Sequence, residues 1–166
     1  MQRHLEEDLS AFSFAYSSIV FLSFLSLLIW SLLQTTKGLM LDETGTWWAV
    51  KESLTDAAGR ARAIHSQSFL SYGFFWLSWH LLGKSNFLFR FPSIIISLLS
   101  LIFLHKINQE LFGKRYPLGL EVFFFLLFEP LSIKFIYSAR PYPFALFFSI
   151  TSVYSCIRYV KTKNIN

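Results

Sequence analysis

The stretch Ala11–Leu33 reads AFSFAYSSIVFLSFLSLLIWSLL and decides the class of fold. No charged residue occurs between Asp8 and Lys37. A transmembrane helix needs roughly 20 apolar residues in a row, and this stretch meets that length. It is too long, and too far from Met1, for a cleaved signal peptide, and no small-residue cleavage site follows it. The stretch therefore predicts a membrane anchor that is retained in the mature protein.

The composition indicates an integral membrane protein. Hydrophobic residues make up 54% of the 166 residues, and phenylalanine alone accounts for 20, more than a soluble core of this size would bury. The net charge is +5. It comes from Lys and Arg in short segments beside apolar stretches, as the positive-inside bias produces, so it does not indicate nucleic-acid binding. A single cysteine, Cys156, excludes an internal disulfide.

Four membrane spans are predicted, so the expected fold class is an all-α integral membrane protein with one membrane domain over residues 1–166. The second span is short unless it begins near Phe87. The spans cover about Ala11–Leu33, Phe91–His105, Pro117–Tyr137 and Pro141–Tyr159.

A fifth apolar run, Ser66–Leu82, has two interpretations. Its Trp76 and Trp79 favour the membrane interface over the hydrocarbon centre. We therefore expect an interfacial or re-entrant helix, with a fifth span as the alternative. Four spans and a cytoplasmic N-terminus place the basic segment 105–116 inside and leave residues 34–90 as a long outer loop with juxtamembrane helices. Five spans would place that basic segment outside.

A helical pattern runs through the outer loop from Trp47 to Ile64. Its apolar residues recur at spacings of three and four, which puts them on one face, with Glu52 and Arg60 largely opposite. A helix lying flat on a membrane has this pattern, and so does a helix packed on neighbouring protein. Gly59 is expected to break the helix. The apolar face consists of Trp47, Val50, Leu54, Ala58, Ala61 and Ile64.

Two adjacent carboxylates, Asp42 and Glu43, lie where the first span meets water, just before Trp47 and Trp48. Acidic residues here are typical of a helix N-terminus. At a membrane boundary they also fit a general base, or a ligand for a divalent cation beside a phosphate.

Arg140 lies in the turn Ser138-Ala139-Arg140-Pro141-Tyr142, between two apolar stretches. Its planar guanidinium suits a phosphate or a carboxylate, and it equally suits an arginine that extends to lipid headgroups. The third span contains Glu121, Glu129 and Lys134. Ionisable groups at the centre of a span cost about 2.5–3.5 kcal/mol each, so these predict either internal pairing or a polar cavity.

The order of these motifs resembles the GT-C superfamily of membrane glycosyltransferases. The similarity is greatest to the bacterial branch related to protein mannosyltransferases and to the aminoarabinose transferases of lipid A. An acidic pair follows the first span, and the amphipathic loop leads into an aromatic helix that begins at His65. The further motifs are Arg90-Phe91-Pro92-Ser93, Leu111-Phe112-Gly113-Lys114 and Tyr137-Ser138-Ala139-Arg140-Pro141-Tyr142.

This resemblance implies transfer of a sugar from a polyprenyl-phosphate donor to a lipid, glycan or protein acceptor on the outer face of the membrane. Asp42 would be the catalytic base or a ligand for Mg²⁺ or Mn²⁺, with Glu43 beside it. Arg140 and Tyr142 would bind the substrate, together with His65 and Trp47. Some relatives have an acidic residue in the second outer turn, and their aromatic helix often begins His-Pro-Pro; this chain has neither feature.

Members of the family have many more spans. The chain is therefore expected to be the N-terminal part of a larger enzyme in the bacterial inner membrane, with the missing C-terminal portion as a candidate partner chain. Two alternatives stay open. One is a non-catalytic small membrane protein or an inactive remnant. The other is part of a transporter, with the ionisable residues of the third span on a polar path.

Overall fold

The computed structural model describes residues 22, 25, 26, 29, 33, 34, 37–65, 69–113 and 130–163, with residues 64, 65 and 130–133 described by their backbone only. This part of the chain is helical and contains no β-strand, which confirms the all-α class. The helices are α1 (Leu41–Val50), α2 (Leu54–His65), α3 (Phe69–Leu77) continued by a π-helical turn (Ser78–Leu82), α4 (Asn86–Phe112), α5 (Pro130–Tyr137) and α6 (Tyr142–Lys163).

Two of the described helices, α4 and α6, are long and apolar enough to cross a membrane. They have 27 and 22 residues, which gives lengths of about 40 and 33 Å. Within the most apolar 18 residues of each helix, 33% of the residues in α4 and 11% of those in α6 are buried inside the protein. The second span is predicted over about Phe91–His105. The helix that contains it, α4, is longer at both ends, because it begins at Asn86 and ends at Phe112.

The other two predicted spans fall largely outside the described residues. Of the first, the described residues from Leu22 to Leu33 are helical. Of the third, α5 is the described part, so Glu121 and Glu129 lie outside it, while Lys134 is exposed. A total of four spans remains a prediction.

Helices α4 and α6 run parallel and side by side. The Phe103 ring lies 5.8 Å from the Phe147 ring and 5.5 Å from the Tyr154 ring. Further along both helices, Glu110 near the end of α4 binds Arg158 near the end of α6. Helix α5 packs against the first half of α4, where Ser97 Oγ donates to the Ile136 carbonyl at 3.2 Å.

The segment with α3 and the π turn does not carry the chain to the far end of α4. Before the turn, Trp76 Nε1 donates to the Glu52 carbonyl at 2.8 Å. After it, Asn86 Nδ2 donates to the Lys37 carbonyl at 3.3 Å. The nine residues of α3 and the five of the π turn also fall short of a span. The geometry therefore favours the interfacial or re-entrant interpretation over a fifth span.

The helical pattern of the outer loop forms two helices, and their break is not at Gly59. Residues 51–53 separate α1 from α2, whereas Gly59 lies inside α2. Ser53 accounts for the boundary, because its Oγ accepts from the Asp56 N–H at 3.1 Å. The buried face of α2 packs on protein and is offset from the predicted one, since Leu54 is exposed while Ala57 is completely buried. The buried apolar cluster comprises Ala49, Val50, Ala57, Ala61, Tyr72, Phe75, Phe89, Ala139 and Phe144.

Pro92 lies inside α4 because the π turn compensates for its missing N–H. Proline at this position leaves the Leu88 carbonyl without its helical donor. The buried Ser78 hydroxyl donates to that carbonyl. A π turn shifts the side chains after it relative to a regular helix. Here the π turn contains Ser78, and the hydrogen bond from Ser78 to the Leu88 carbonyl joins this turn to α4.

Candidate functional site

Glu43 and Arg90 form a completely buried ion pair at the end of the molecule where α1, α4 and α6 all begin. Arg90 Nε donates to one carboxylate oxygen at 2.8 Å, and Nη2 donates to the other at 2.5 Å. This two-point geometry is the strongest form of the arginine–carboxylate pair. It connects α1 to α4 across 47 residues of sequence.

The remaining donors of Arg90 bind carbonyls of the segment that leads into α1. Nη1 donates to Gln34 and Lys37, both at 3.1 Å, and Nη2 donates to Gly38 at 2.9 Å. All five N–H groups of the guanidinium therefore have an acceptor. A buried cation is strongly unfavourable when its donors are unpaired, so this complete set of partners explains how Arg90 can lie at 0% exposure.

Glu43 is equally saturated. Besides Arg90, its oxygens accept the Met40 N–H at 2.8 Å, as in a capping box, and the Ala139 N–H at 2.8 Å. Burial raises the pKa of Glu43, but the hydrogen bonds from Arg90, Met40 and Ala139 outweigh it and hold the pKa below its ordinary value. Glu43 is thus an ionised structural carboxylate that joins α1, α4 and the turn before α6, and a substrate has no access to it.

Arg140 joins this turn to the backbone of Asp42, the other acidic residue of the pair. Its Nη1 donates to the Asp42 carbonyl at 3.0 Å, and its Nη2 approaches the Tyr142 hydroxyl at 3.4 Å. The guanidinium also lies 5.5 Å from the centre of the Tyr142 ring. Within the described part of the chain, Arg140 pairs with no carboxylate, and its buried Nε has no partner. The structure therefore places the predicted residues Asp42, Arg140 and Tyr142 together.

Asp42 and Glu43 point in opposite directions. Asp42 is exposed, whereas the Glu43 side chain is buried. Tyr72 lies in the core next to this group; burial raises the pKa of its hydroxyl, and the charge of Arg140 acts in the opposite direction. The accessible chemistry at this site consists of one carboxylate, one guanidinium and the hydroxyl of Tyr142, whose side chain is 45% exposed.

Two other predicted substrate-binding residues lie in different surroundings. Trp47 is half-buried, with its ring 6.1 Å from the Trp79 ring and the Lys51 ammonium 5.7 Å from its centre. His65 is the last residue of α2, and its side chain lies outside the described part. Neither the described contacts of Trp47 nor the backbone of His65 places them against Arg140.

A divalent cation at Asp42 stays a prediction. Within residues 37–63, 69–113 and 134–163, no cluster of three or more potential ligand side chains is found. Mg²⁺ is commonly held by one or two carboxylates together with substrate phosphates. Asp42 is the carboxylate available for such a role, because both oxygens of Glu43 are engaged with N–H donors.

Arg90 and Ser78 are the residues of this region whose roles were not predicted from the sequence. For Arg90 there was a signal: it is the charged residue inside an otherwise apolar run, where a cation needs a partner. Nothing in the sequence marks Glu43 rather than Asp42 as that partner. For Ser78, the signal was Pro92 inside a helical pattern, which requires some donor for the Leu88 carbonyl.

Comparison of the chain with protein-family models, with curated proteins and with solved structures finds no match. The likeness to GT-C glycosyltransferases therefore rests on the order of motifs in the sequence.

Proposed function

We propose that this chain is the donor-binding part of a membrane glycosyltransferase that takes a sugar from a polyprenyl phosphate on the outer face of the membrane. The observation that carries the proposal is the hydrogen bond from Arg140 to the Asp42 carbonyl at 3.0 Å. This bond joins the cation of the turn before α6 to the backbone of the residue that carries the exposed Asp42 side chain, at the end where both candidate membrane helices begin.

The chemistry of such a transfer fits these groups. A phosphate diester of a sugar and a polyprenol is anionic, and a guanidinium without a carboxylate partner suits it. In the transfer, the bond from the sugar's anomeric carbon to the phosphate oxygen breaks. A bond to the acceptor oxygen or nitrogen forms, the acceptor proton moves to Asp42, and polyprenyl phosphate leaves. Glu43 and Arg90 act as positioning residues, since they hold α1 and the Arg140 turn together.

A non-catalytic helical membrane protein is the second candidate, and the burial of Glu43 favours it. One of the two carboxylates predicted for catalysis serves packing instead. In that case Asp42 is a solvated residue of the first turn of α1, where a negative charge stabilises the helix. The two candidates differ in whether the site binds a phosphorylated donor.

The test is photo-crosslinking of the purified chain in lipid nanodiscs with a diazirine-bearing polyprenyl-phosphate mannose or aminoarabinose. We expect adducts on the peptide that contains Arg140, and at least tenfold fewer adducts in Arg140→Gln. The control Arg62→Gln removes an exposed arginine of α2 and should leave the adducts unchanged. No adduct above background in the unsubstituted chain, or equal loss in both variants, refutes donor binding.

The base assignment is tested by radiolabelled sugar transfer in membranes that contain the chain. General base catalysis contributes typically 10²–10⁴-fold, so Asp42→Asn should lower the rate by that factor. Glu52→Gln, which changes another exposed carboxylate of the outer loop, should not. An unchanged rate in Asp42→Asn removes Asp42 from the mechanism.

A further inference from the structure

A groove of about 280 Å³ lies between the two walls formed by α3 with its π turn and by the first half of α4. Ser78 is the polar residue of the lining, and its hydroxyl donates a hydrogen bond to the Leu88 carbonyl. The other lining side chains are apolar. The apolar lining includes Phe74, Leu77, Leu81, Phe91, Pro92 and Ile95.

The groove opens outward along a helix that is a candidate membrane span. Leu81 and Leu82 at its edge are 69% and 54% exposed, and Ile95 on α4 is 39% exposed. Contiguous exposed leucines of this kind mark an interaction surface. Because the other wall is the first half of α4, this surface faces the region where a membrane-spanning α4 meets lipid chains.

The turn that joins the two walls of the groove contains a lysine. Residues 83–85 join the two walls, and Lys84 in this turn is exposed. Among the described residues, no carboxylate forms an ion pair with Lys84. The groove therefore has an apolar lining, and the turn that joins its two walls carries the Lys84 ammonium.

We propose that this groove binds one acyl chain of an anionic membrane phospholipid, with the lipid phosphate at the Lys84 ammonium. An apolar trough stabilises an alkyl chain by removing its surface from water, and a lysine beside the membrane favours anionic lipids. A single alkyl chain is slender enough for a groove of this volume, whereas a helix is about 10 Å across. The proposal rests on α4 crossing the membrane and does not require sugar transfer.

The experiment uses the chain in nanodiscs of phosphatidylglycerol and phosphatidylcholine, each in turn carrying a diazirine in one acyl chain, with adducts located by peptide mass spectrometry. We expect at least fivefold more phosphatidylglycerol adducts on the groove peptides than on the exposed side chains of α6. Unlabelled phosphatidylglycerol should compete, and phosphatidylcholine should not.

Two variants with matched controls sharpen the result. Ile95→Trp fills the groove and should lower groove adducts at least fivefold, while Leu146→Trp, an exposed position of α6 outside the groove, should not. Lys84→Gln should reduce the preference for phosphatidylglycerol about fivefold, the effect of one lysine near an anionic surface. Lys163→Gln, at the opposite end of the molecule, should leave the preference unchanged.

Even labelling of all exposed apolar faces, equal labelling by both lipids, or adducts that survive Ile95→Trp would overturn the proposal. So would crosslinks through the groove to a second copy of the chain. If Ile95→Trp loses its helical circular dichroism, two other measurements test the proposal. One is labelling of Leu77→Trp, on the opposite wall, and the other is lipid competition on the unsubstituted chain. Loss of polyprenyl-phosphate crosslinking with intact phosphatidylglycerol labelling counts against the proposed function and not against this groove.

Discussion

An arginine–glutamate contact lies near each end of α4, one to α1 and one to α6, and the two contacts differ in burial. At the end with α1, Arg90 and Glu43 are both 0% exposed. At the other end, Arg158 is 56% and Glu110 23% exposed, and Lys161 shares the same carboxylate. Exposed pairs contribute about 0–1 kcal/mol, whereas removing one partner of a buried pair costs about 3–5 kcal/mol. Removing one of these two side chains therefore costs much more stability at the buried end than at the exposed end.

The difference also separates structure from chemistry within the acidic pair. Glu43 is held by four N–H donors and determines how α1, α4 and the turn before α6 meet. Asp42, its neighbour in sequence, is exposed and contributes its backbone carbonyl to Arg140. Of the two carboxylates, Glu43 is therefore part of the packed core and Asp42 is not.

The largest expected effect is on the buried pair. Glu43→Gln leaves the Arg90 cation buried without its counter-charge, so the free energy of unfolding should fall by about 3–5 kcal/mol. Thermal and denaturant unfolding in detergent micelles measures the change. Glu110→Gln serves as the matched control at the other end. A similar small loss in both variants would mean that burial does not distinguish the two ends.

Acid should weaken the α1 end through Glu43. Its folded pKa lies below the ordinary value of 4.5, so its contribution to stability is complete above that value. The contribution is lost as the pH falls through the lower, folded pKa, because the unfolded state then binds the proton more tightly. Unfolding midpoints recorded from pH 6 downward should fall more steeply for the unsubstituted chain than for Glu43→Gln. If the unfolding midpoints of the two proteins fall equally with pH, ionisation of Glu43 is not the source of the acid effect.

A smaller effect is expected at the contact between the π turn and α4. Ser78→Ala leaves the part-buried Leu88 carbonyl without this donor, which costs about 1–3 kcal/mol. Pro92→Ala restores the helical N–H, so the double variant should recover much of the loss. Ser149→Ala, which removes a hydroxyl bonded within the exposed surface of α6, is the control and should stay within about 0.5 kcal/mol. Additive losses in the double variant would exclude the compensation.

The smallest effect belongs to the exposed cluster at the far end. Glu110→Gln should cost at most about 1 kcal/mol, and added salt should reduce the difference further, since exposed charges are screened. Unfolding at low and high ionic strength measures this. A loss as large as that of Glu43→Gln, or one that salt does not change, would show that Glu110 is part of the packed structure.

The sequence predicted the all-α class and located both long helices that the structure describes, because apolar length is a local property of the chain. It also predicted that Asp42 and Arg140 lie at the same end, through the alternation of spans and basic segments. It placed the break of the outer-loop helix at Gly59, since a glycine signal is local, whereas Ser53 caps α2 in the structure.

Which of two adjacent carboxylates is buried was decided by tertiary structure alone. Asp42 and Glu43 have the same charge and nearly the same position in the sequence, so no local pattern separates them. The difference arises because Arg90 and the Ala139 N–H, 47 and 96 residues away, converge on one face of α1. The sequence by itself determined that helices form and where the charges interrupt them. The packing of distant segments determined which charge became part of the core, since only there is a buried ion's full set of partners assembled.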